Sequence, residues 1–424
     1  MKKKFTFLIL FFLISVSFFT RLVAVFIYGD TSIDNEWGTL LNNLYEHKTY
    51  ALYTFESKLI PSSYMPPMYP FILLFLKIIS FNKINILSMI FSLQILLSLI
   101  SIYIFFKINE QFFSSNISII NSFIFSFFPL NIYAVTQTSS IILQIFLSLL
   151  FLRYFFIVSN NGSNKNIIIF SLVCGLLLLT RGEFILILIA TLIYKFIFKK
   201  ISMHNIIKIF IISFIISSPY LIRNYISFNK IHIVNVKGFA LWKGNNASLK
   251  VDGYGQTQPI HMVPRTFKNH RDFENAKLEL ENIPYDNLYE TKRDNIFFKI
   301  ALKNILEDPH IYFIFYLKKI FSIYFFDTNS SYANYYNFFH IFPVILISIL
   351  SVPGFFIFLK SKNYHKTYLL IYLMSYILIL SLFFILPRYK LSIIPIQIIL
   401  SSFSISYLFD KLTLVFKKIK NRQV

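Results

Sequence analysis

The sequence predicts an all-α membrane protein that crosses the bilayer many times. Of its 424 residues 56% are hydrophobic and only 14% are charged, and long apolar segments recur along the chain. A soluble domain usually carries about 25% charged residues, and about 20 apolar residues suffice for a helix to cross the hydrocarbon core. The composition therefore excludes a disordered chain, a coiled coil, a collagen and a disulfide scaffold, and it disfavours a soluble globular protein.

Roughly ten segments have the length and apolarity expected of membrane-spanning helices. The first follows three lysines, and it is too long for a signal peptide and has no small-residue cleavage site. We therefore interpret it as a span with its N-terminus in the cytoplasm. The predicted spans cover residues 5–28, 84–106, 117–133, 139–158, 167–179, 184–198, 206–222, 339–359, 367–386 and 391–409.

Two further apolar segments, 65–79 and 311–326, are shorter and are marked by aromatic residues or proline. If the first crossed the membrane, Lys195 and Lys208 would lie outside, against the tendency of basic residues to stay in the cytoplasm. A crossing by the second would place Lys360 and the basic C-terminus outside. We expect both segments to be re-entrant or to lie at the interface on the outer face.

The formal charge of +22 has two readings, a nucleic-acid surface or basic cytoplasmic loops. The predicted inner segments carry 18 of the 41 basic residues but only 2 of the 19 acidic ones. Most of the charge is therefore topological, and no nucleic-acid partner is predicted. The expected location is a bacterial inner membrane with both termini cytoplasmic.

Three regions follow from this topology. Residues 1–222 form an N-terminal transmembrane region with a first outer loop (29–64) and the re-entrant segment (65–79). Residues 223–338 form a small extracytoplasmic α/β domain with an interfacial helix, in which 230–236 alternates like a strand and 271–306 has a helical composition. Residues 339–424 form a C-terminal transmembrane region with a basic cytoplasmic tail.

The first outer loop carries two acids, Asp34 and Glu36, directly before apolar residues with helical spacing: Trp37, Leu40, Leu41 and Leu44. Asp34 stands where a helix N-cap is expected. A capped surface helix is one interpretation. The other is a carboxylate held at the membrane surface as a general base. The three prolines at 66, 67 and 70 are expected to prevent a regular helix start and to fix a bend before the short apolar segment.

Several cations lie in loops predicted to be outside, where basic residues are disfavoured. Snorkelling to lipid head groups would account for them, and Arg181 could simply pair with Glu183 in a tight turn. Arg and Lys also bind phosphate oxygens strongly, which favours a pocket for a lipid-linked phosphate. The candidates for this pocket are Arg181, Arg223, Lys243, Arg388 and Lys390.

In combination these motifs resemble the bacterial GT-C glycosyltransferases related to protein O-mannosyltransferases and to the lipid A aminoarabinose transferase. The matching landmarks occur in order across nearly the whole chain. They are Asp34-x-Glu36, Pro66-Pro67-Met-Tyr69-Pro70, Leu179-Thr180-Arg181-x-Glu183, Pro219-Tyr-Leu-Ile-Arg223-Asn224-Tyr225, Leu241-Trp242-x-Gly244-Asn245-Asn246, Ala301-Leu302 with Asp308-Pro309, and Arg388-Tyr389-x-Leu391.

The resemblance implies a GT-C fold and an inverting transferase that uses a polyprenyl-phosphate-linked sugar on the extracytoplasmic face. It implies Asp34 as the catalytic base, with Glu36 as substitute or helper, and cations that stabilise the departing polyprenyl phosphate. The acceptor would be a hydroxyl of an envelope lipid, glycan or protein. The chain departs from relatives in the Asn35 between the two acids and in the absence of an acid from loop 136–140. No cofactor is predicted, and the ligand spacing gives a divalent metal no support.

Two other functions stay open. An envelope polysaccharide polymerase or ligase is also polytopic and also uses polyprenyl carriers. A flippase or transporter for lipid-linked saccharides belongs to a different class, which usually places ionisable residues near the middle of the bilayer. The predicted spans are almost free of such charges, so the sequence favours chemistry at the membrane surface.

Overall fold

The computed structural model describes residues 2–55, 58–81, 83–160, 162–198, 201–253, 279–280, 282–330, 332, 337–360 and 366–420. Within these residues the chain is mainly helical. Tyr335, Tyr336, Lys199, Lys200 and the first part of the predicted helical region, 271–278, lie outside them.

The first half of the chain is a series of helices with one β-hairpin near its start. The elements are α1 (Lys2–Tyr28), α2 (Glu36–His47), β1 (Ala51–Phe55), β2 (Lys58–Pro61), α3 (Met68–Ile79), α4 (Ile86–Asn109), α5 (Ser115–Ser126), α6 (Pro129–Val135), α7 (Ile141–Asn160), α8 (Asn164–Thr180), α9 (Phe184–Ile197) and α10 (Met203–Phe228).

The second half begins with two helices that pack on each other and ends in three long apolar ones. The elements are α11 (Lys237–Gly244), α12 (Tyr289–Glu307), α13 (Pro309–Tyr324), α14 (Phe338–Lys360), α15 (Lys366–Leu380), a short 3-10 helix (Pro387–Ser392) and α16 (Ile394–Lys420). Helix α14 packs along α16, and α10 packs along α8.

Every predicted span coincides with a helix or with the bent pair α5 and α6. By length and apolarity, five of the described helices could cross a membrane, or six if the bent pair (54°) counts as one span. Four further apolar helices have between 10 and 17 residues. The prediction of an all-α polytopic membrane protein is confirmed, and the number of roughly ten spans stays a prediction.

Two buried cations inside the bundle find acceptors on neighbouring helices, which offsets the cost of removing them from water. Arg21 on α1 is fully buried, and its guanidinium donates to Ser98 Oγ (2.8 Å) and to the Ser126 carbonyl (3.1 Å). Lys195 on α9 donates to the Phe155 carbonyl at 2.7 Å. These pairs join neighbouring helices, and they account for Arg21 and Lys195, two of the cations within predicted spans, as packing groups.

The hairpin β1–β2 is antiparallel and lies in the first outer loop. Residues 230–236, predicted as a strand, have an irregular backbone, so that prediction was wrong. The segment is fixed by hydrogen bonds to other parts of the chain: Asn224 Nδ2 donates to the His232 carbonyl (2.6 Å), and the Asn235 amide donates to the Ser63 carbonyl (3.0 Å). Alternation alone cannot distinguish such a segment from a strand, because a strand also needs a partner edge.

The two helix starts near the first loop also differ from expectation. The N-cap of α2 is Asn35, whose side chain accepts from the Trp37 amide (3.0 Å), and not Asp34. Helix α3 begins at Met68 with Pro70 in its first turn, where the missing N–H of proline has no helical partner to lose. The expected amphipathic helix is present, with Leu40, Leu41 and Leu44 buried.

Candidate active site

The outer loops predicted to share one face do meet at one end of the bundle. Asp30, just after α1, accepts from the Thr138 amide (2.6 Å) and the Thr138 hydroxyl (2.8 Å). Arg181, after α8, donates to Gln144 on α7 (2.8 Å) and lies over the Tyr389 ring (5.1 Å). Residues distant in sequence therefore form one continuous surface, which we call the loop face.

Glu290 attaches the first loop to helix α12. Its buried carboxylate accepts from the Ser62 hydroxyl (2.6 Å), the Ser63 amide (3.0 Å) and the Ser63 hydroxyl (2.9 Å). Burial raises its pKa to about 7 although these hydrogen bonds act in the opposite direction. On its other side the Ser63 hydroxyl is 2.8 Å from His232 Nε2. This network fixes the segment that leads to Tyr64.

The motif Leu241-Trp242-x-Gly244-Asn245-Asn246 forms the second wall of the site. A Cβ at Gly244 would lie 2.2 Å from the Phe383 carbonyl carbon, so only glycine allows the two backbones to approach this closely. Asn245 Nδ2 donates to the Leu382 carbonyl (2.9 Å), and the Ile385 amide donates to the Val251 carbonyl (2.8 Å). The segment after α11 is thereby joined to the segment before the 3-10 helix.

This junction brings Lys243 next to the 3-10 helix. The Lys243 side chain is buried, its Nζ lies 4.7 Å from the centroid of the Phe384 ring, and its stem packs on Gly253, whose φ is +72°. Burial lowers the pKa of Lys243 to about 8. Arg388 lowers it further, whereas Asp252 and Glu36 raise it. Lys243 is therefore within electrostatic range of both Arg388 and Glu36.

Arg388 is half-buried on the 3-10 helix and makes no hydrogen bond or ion pair with any residue in the described part of the chain. Arg388 lowers the pKa of Lys243. It also lowers the pKa of Tyr332, which burial raises to about 12. Two cations in this position repel each other unless an anion lies between them. The arrangement is suited to binding a phosphate.

The two predicted acids of the first loop are placed differently. Asp34 is exposed and accepts from the neighbouring Ser32 hydroxyl. Glu36 is half-buried at the first position of α2 and acts electrostatically on Lys243, Tyr64 and Tyr332. Of the two carboxylates, Glu36 is the one coupled to the Lys243 and Arg388 cluster.

The other predicted cations have protein partners. Arg181 lies 3.7 Å from Glu183 across a tight turn, in addition to its bond with Gln144. Arg223 donates to the Ser62 carbonyl (2.7 Å) and the Tyr50 carbonyl (2.9 Å). Lys390 donates to the carbonyls of Ile323, Tyr324 and Phe325 at the end of α13. Their role in binding a donor phosphate stays a prediction.

Four residues of the site were not identified from the sequence: Asp30, Asp252, Glu290 and Lys319. Asp252 is buried and accepts from the Ser330 hydroxyl (3.3 Å). Lys319 is fully buried and donates to the Gly244 carbonyl (2.8 Å) and to Asn245 Oδ1 (3.2 Å). Asp30 carried a usable signal, since it is an acid directly after the first span. The others have no local pattern that distinguishes them from surface charges.

The described residues contain no group of three His, Cys, Asp or Glu side chains placed to hold a metal ion.

The fold is similar to that of archaeal oligosaccharyltransferases. The archaeal oligosaccharyltransferase AglB of Archaeoglobus fulgidus, solved with an inhibitory peptide and a dolichol-phosphate, aligns with a TM-score of 0.56 at 12% identity over 99% of this chain and 52% of AglB. The A. fulgidus enzyme tethered to an acceptor peptide aligns with a TM-score of 0.55 at 12% identity, over 96% of this chain and 50% of that one. The chain spans about half the length of these proteins, and the predicted GT-C fold is confirmed.

Residues 64–222 match the family model described as dolichyl-phosphate-mannose-protein mannosyltransferase. The match includes the landmarks around Pro67, Arg181 and Pro219, and the resemblance predicted from the motifs is thereby confirmed. ArnT of Cupriavidus metallidurans, solved with undecaprenyl phosphate, aligns over 91% of this chain and 77% of ArnT at 8% identity, with a TM-score of 0.43 that is too low to support a common fold. No curated protein matches the sequence.

Proposed function

We propose that this protein is a membrane glycosyltransferase that moves a sugar from a polyprenyl-phosphate-linked donor to a hydroxyl of an envelope acceptor. The observation that carries the proposal is the convergence of Glu36, Lys243 and Arg388 at the loop face from three distant parts of the chain. The matched family is described by a dolichyl-phosphate-linked sugar donor, which supports this donor class.

Glu36 is the general base of the proposed reaction, and Asp34 takes no direct part in the proton transfer. Glu36 accepts the proton of the acceptor hydroxyl while the hydroxyl oxygen attacks the anomeric carbon. The bond between that carbon and the phosphate oxygen breaks, and its electron pair leaves with the polyprenyl phosphate. A single displacement of this kind inverts the anomeric centre. A positioned base contributes about 10²–10⁴-fold to the rate.

Lys243 and Arg388 stabilise the leaving phosphate. A phosphate between them would offset their mutual repulsion and would gain charge as the glycosidic bond breaks, so their contribution is greatest in the transition state. Burial strengthens the effect, because fewer water molecules screen the charges. The lipid chain of the donor would extend from this point into the bilayer.

The orientation of the protein is part of the proposal. Glu36 and Arg388 lie in segments that the distribution of basic residues predicts to be outside the cytoplasm. This is consistent with a loop face on the extracytoplasmic side of an inner membrane and with both termini in the cytoplasm.

The test uses the full-length protein in membranes, a panel of radiolabelled polyprenyl-phosphate monosaccharides, and envelope fractions as acceptors. We expect wild type to transfer label from one of the donors, and Glu36→Gln to lower the rate by about 10²-fold or more, because the proton acceptor is lost. Asp34→Asn is the matched control and should retain most of the rate.

The opposite result, with Asp34→Asn inactive and Glu36→Gln active, would show that Asp34 is the general base. Absence of transfer with every donor, combined with movement of a lipid-linked saccharide across the membrane, would overturn the proposal of an enzyme.

A further inference from the structure

We infer that the acceptor carries an oxyanion, a carboxylate or a phosphate, and that Arg293 binds it. The identification of the ligand as the acceptor rests on the proposed function. The anion site itself is argued from the geometry around Arg293. Arg293 lies on α12, and only 7% of its surface is exposed. Its guanidinium lies over the Phe239 ring (5.1 Å) and the Phe297 ring (5.3 Å).

No described residue accepts a hydrogen bond from Arg293 or forms an ion pair with it. A guanidinium has five N–H donors in a planar fork. Aromatic faces stabilise its charge but accept none of these donors in the way that an oxygen does. A buried guanidinium without an acceptor is costly, which indicates a site completed by a ligand.

The two nearest carboxylates on the same helix are bound elsewhere. Glu290 accepts from Ser62 and Ser63 on the first loop. Asp294 accepts from the amides of Gly238 (3.0 Å) and Phe239 (2.9 Å) at the start of α11. Both acids are within electrostatic range of Arg293 and neither pairs with it, so no carboxylate in the described part of α12 occupies its donors.

Arg293 and the proposed base share Tyr64 as a neighbour in electrostatic range. The Tyr64 hydroxyl is within electrostatic range of both Arg293 and Glu36, and the Tyr64 ring is 6.1 Å from that of Phe239. An acceptor that presents its hydroxyl to Glu36 can therefore place a nearby oxyanion at Arg293. In the proposed mechanism, Lys243 and Arg388 bind the donor phosphate.

Arg293 and the aromatic rings beside it indicate the chemistry of the ligand. Arg is preferred over Lys for bidentate binding of carboxylate and phosphate. The rings of Phe239, Phe297 and Trp242 are 4.6–5.7 Å from one another and form a buried apolar cluster beside the guanidinium. A guanidinium on such a cluster favours a charged oxyanion, so an acidic sugar or a sugar phosphate fits better than a neutral one.

The first experiment measures binding without any donor. Trp37→Phe leaves Trp242 as the single tryptophan of the chain, beside the proposed site. The full-length protein in nanodiscs is titrated with inorganic phosphate, with glucuronate and with neutral glucose, at constant ionic strength. We expect a saturable change in Trp242 fluorescence with the two anions and none with glucose.

Matched variants assign the response to a residue. Arg293→Gln should weaken anion binding at least about tenfold, and Arg293→Lys should have an intermediate effect because the planar fork is lost. Lys299→Gln removes an exposed cation from the same helix and should have no effect. Arg388→Gln should retain the response. If Arg388→Gln abolishes it and Arg293→Gln does not, the anion binds at the donor site and the inference is wrong.

A second experiment tests the acceptor. In the transfer assay, Arg293→Gln should raise the KM for an acidic acceptor by about tenfold or more and leave the KM for the donor unchanged. Equal KM values for wild type and variant would overturn the assignment of the acceptor. Arg293-dependent anion binding in a protein that transfers no sugar would overturn the proposed function and leave the anion site intact.

Discussion

The cations around helix α13 and the hairpin differ from the cations around Glu36 in what they contact. Lys319, Lys390 and Arg223 donate to backbone carbonyls, at 2.8 Å for Lys319 to Gly244 and 2.7 Å for Arg223 to Ser62. Arg388 and Arg293 make no such bond in the described part of the chain. The first group joins elements of the protein, and the second group is available to a ligand.

The difference shows that the position of a cation in an outer loop does not determine its role. Arg223 and Arg388 are both arginines at the ends of predicted spans, and both occur in landmarks of the resemblance. The carbonyls of Ser62 and Tyr50 happen to lie against Arg223, whereas Arg388 faces another cation. Replacing Arg388 with a neutral residue should therefore affect the rate of transfer, whereas replacing Arg223 should affect stability.

The largest expected effect is at Arg388. Arg388→Gln should lower the rate of transfer by about 10²–10³-fold, because one of the groups that stabilise the leaving phosphate is lost. Its melting temperature should stay close to that of wild type, because Arg388 makes no hydrogen bond or ion pair with the residues that the structure describes. The measurement combines transfer kinetics with thermal melting in the same detergent.

Arg223→Gln is the counterpart and should behave in the opposite way. It removes the donor to the Ser62 carbonyl and one of the two donors to the Tyr50 carbonyl, which also accepts from the Ser62 amide, and it should lower the free energy of unfolding by about 1–3 kcal/mol. Transfer per folded molecule should be largely retained. A loss of transfer without a loss of stability in Arg223→Gln would show that Arg223 acts like Arg388, and the proposed difference between the two groups of cations would be wrong.

The next effect concerns the pH dependence of Lys243. Its lowered pKa of about 8 means that it loses its proton, and with it the positive charge, as the pH rises through that value. Transfer should therefore fall above pH 8, approaching tenfold for each further pH unit. Lys243→Arg keeps its charge and should move the decline to higher pH. Identical pH–rate profiles for the two proteins would exclude Lys243 as the titrating group.

The smallest effect is expected at Lys319. Lys319→Met removes the donor to Gly244 and Asn245 and should lower the free energy of unfolding by about 1–3 kcal/mol, offset in part by the removal of a buried charge. Lys318→Met, at the exposed neighbouring position, is the control and should leave the melting temperature unchanged. Equal melting temperatures for the two variants would show that the carbonyl contacts of Lys319 contribute little.

Most of the architecture could be predicted because membrane insertion depends on local apolarity. Each predicted span contains a helix or the bent pair α5 and α6, and the amphipathic helix after Glu36 buries the expected leucines. The prediction of a strand at 230–236 was wrong because strand formation depends on a distant partner. The N-cap shifted from Asp34 to Asn35, a change of one position that local propensity cannot resolve, since both residue types cap well.

The sequence alone determined the mainly helical, apolar architecture, the order of its helices and the loops that meet at the loop face, because these depend on apolar length and on the distribution of basic residues. Only the tertiary structure decided which acid and which cations form the candidate site. A carbonyl can bind a cation from any distance along the chain, as Ser62 binds Arg223, and this pairing leaves no pattern in the sequence. Arg388 and Arg293, which have no acceptor among the residues that the structure describes, are the charges that the proposed substrates would complete.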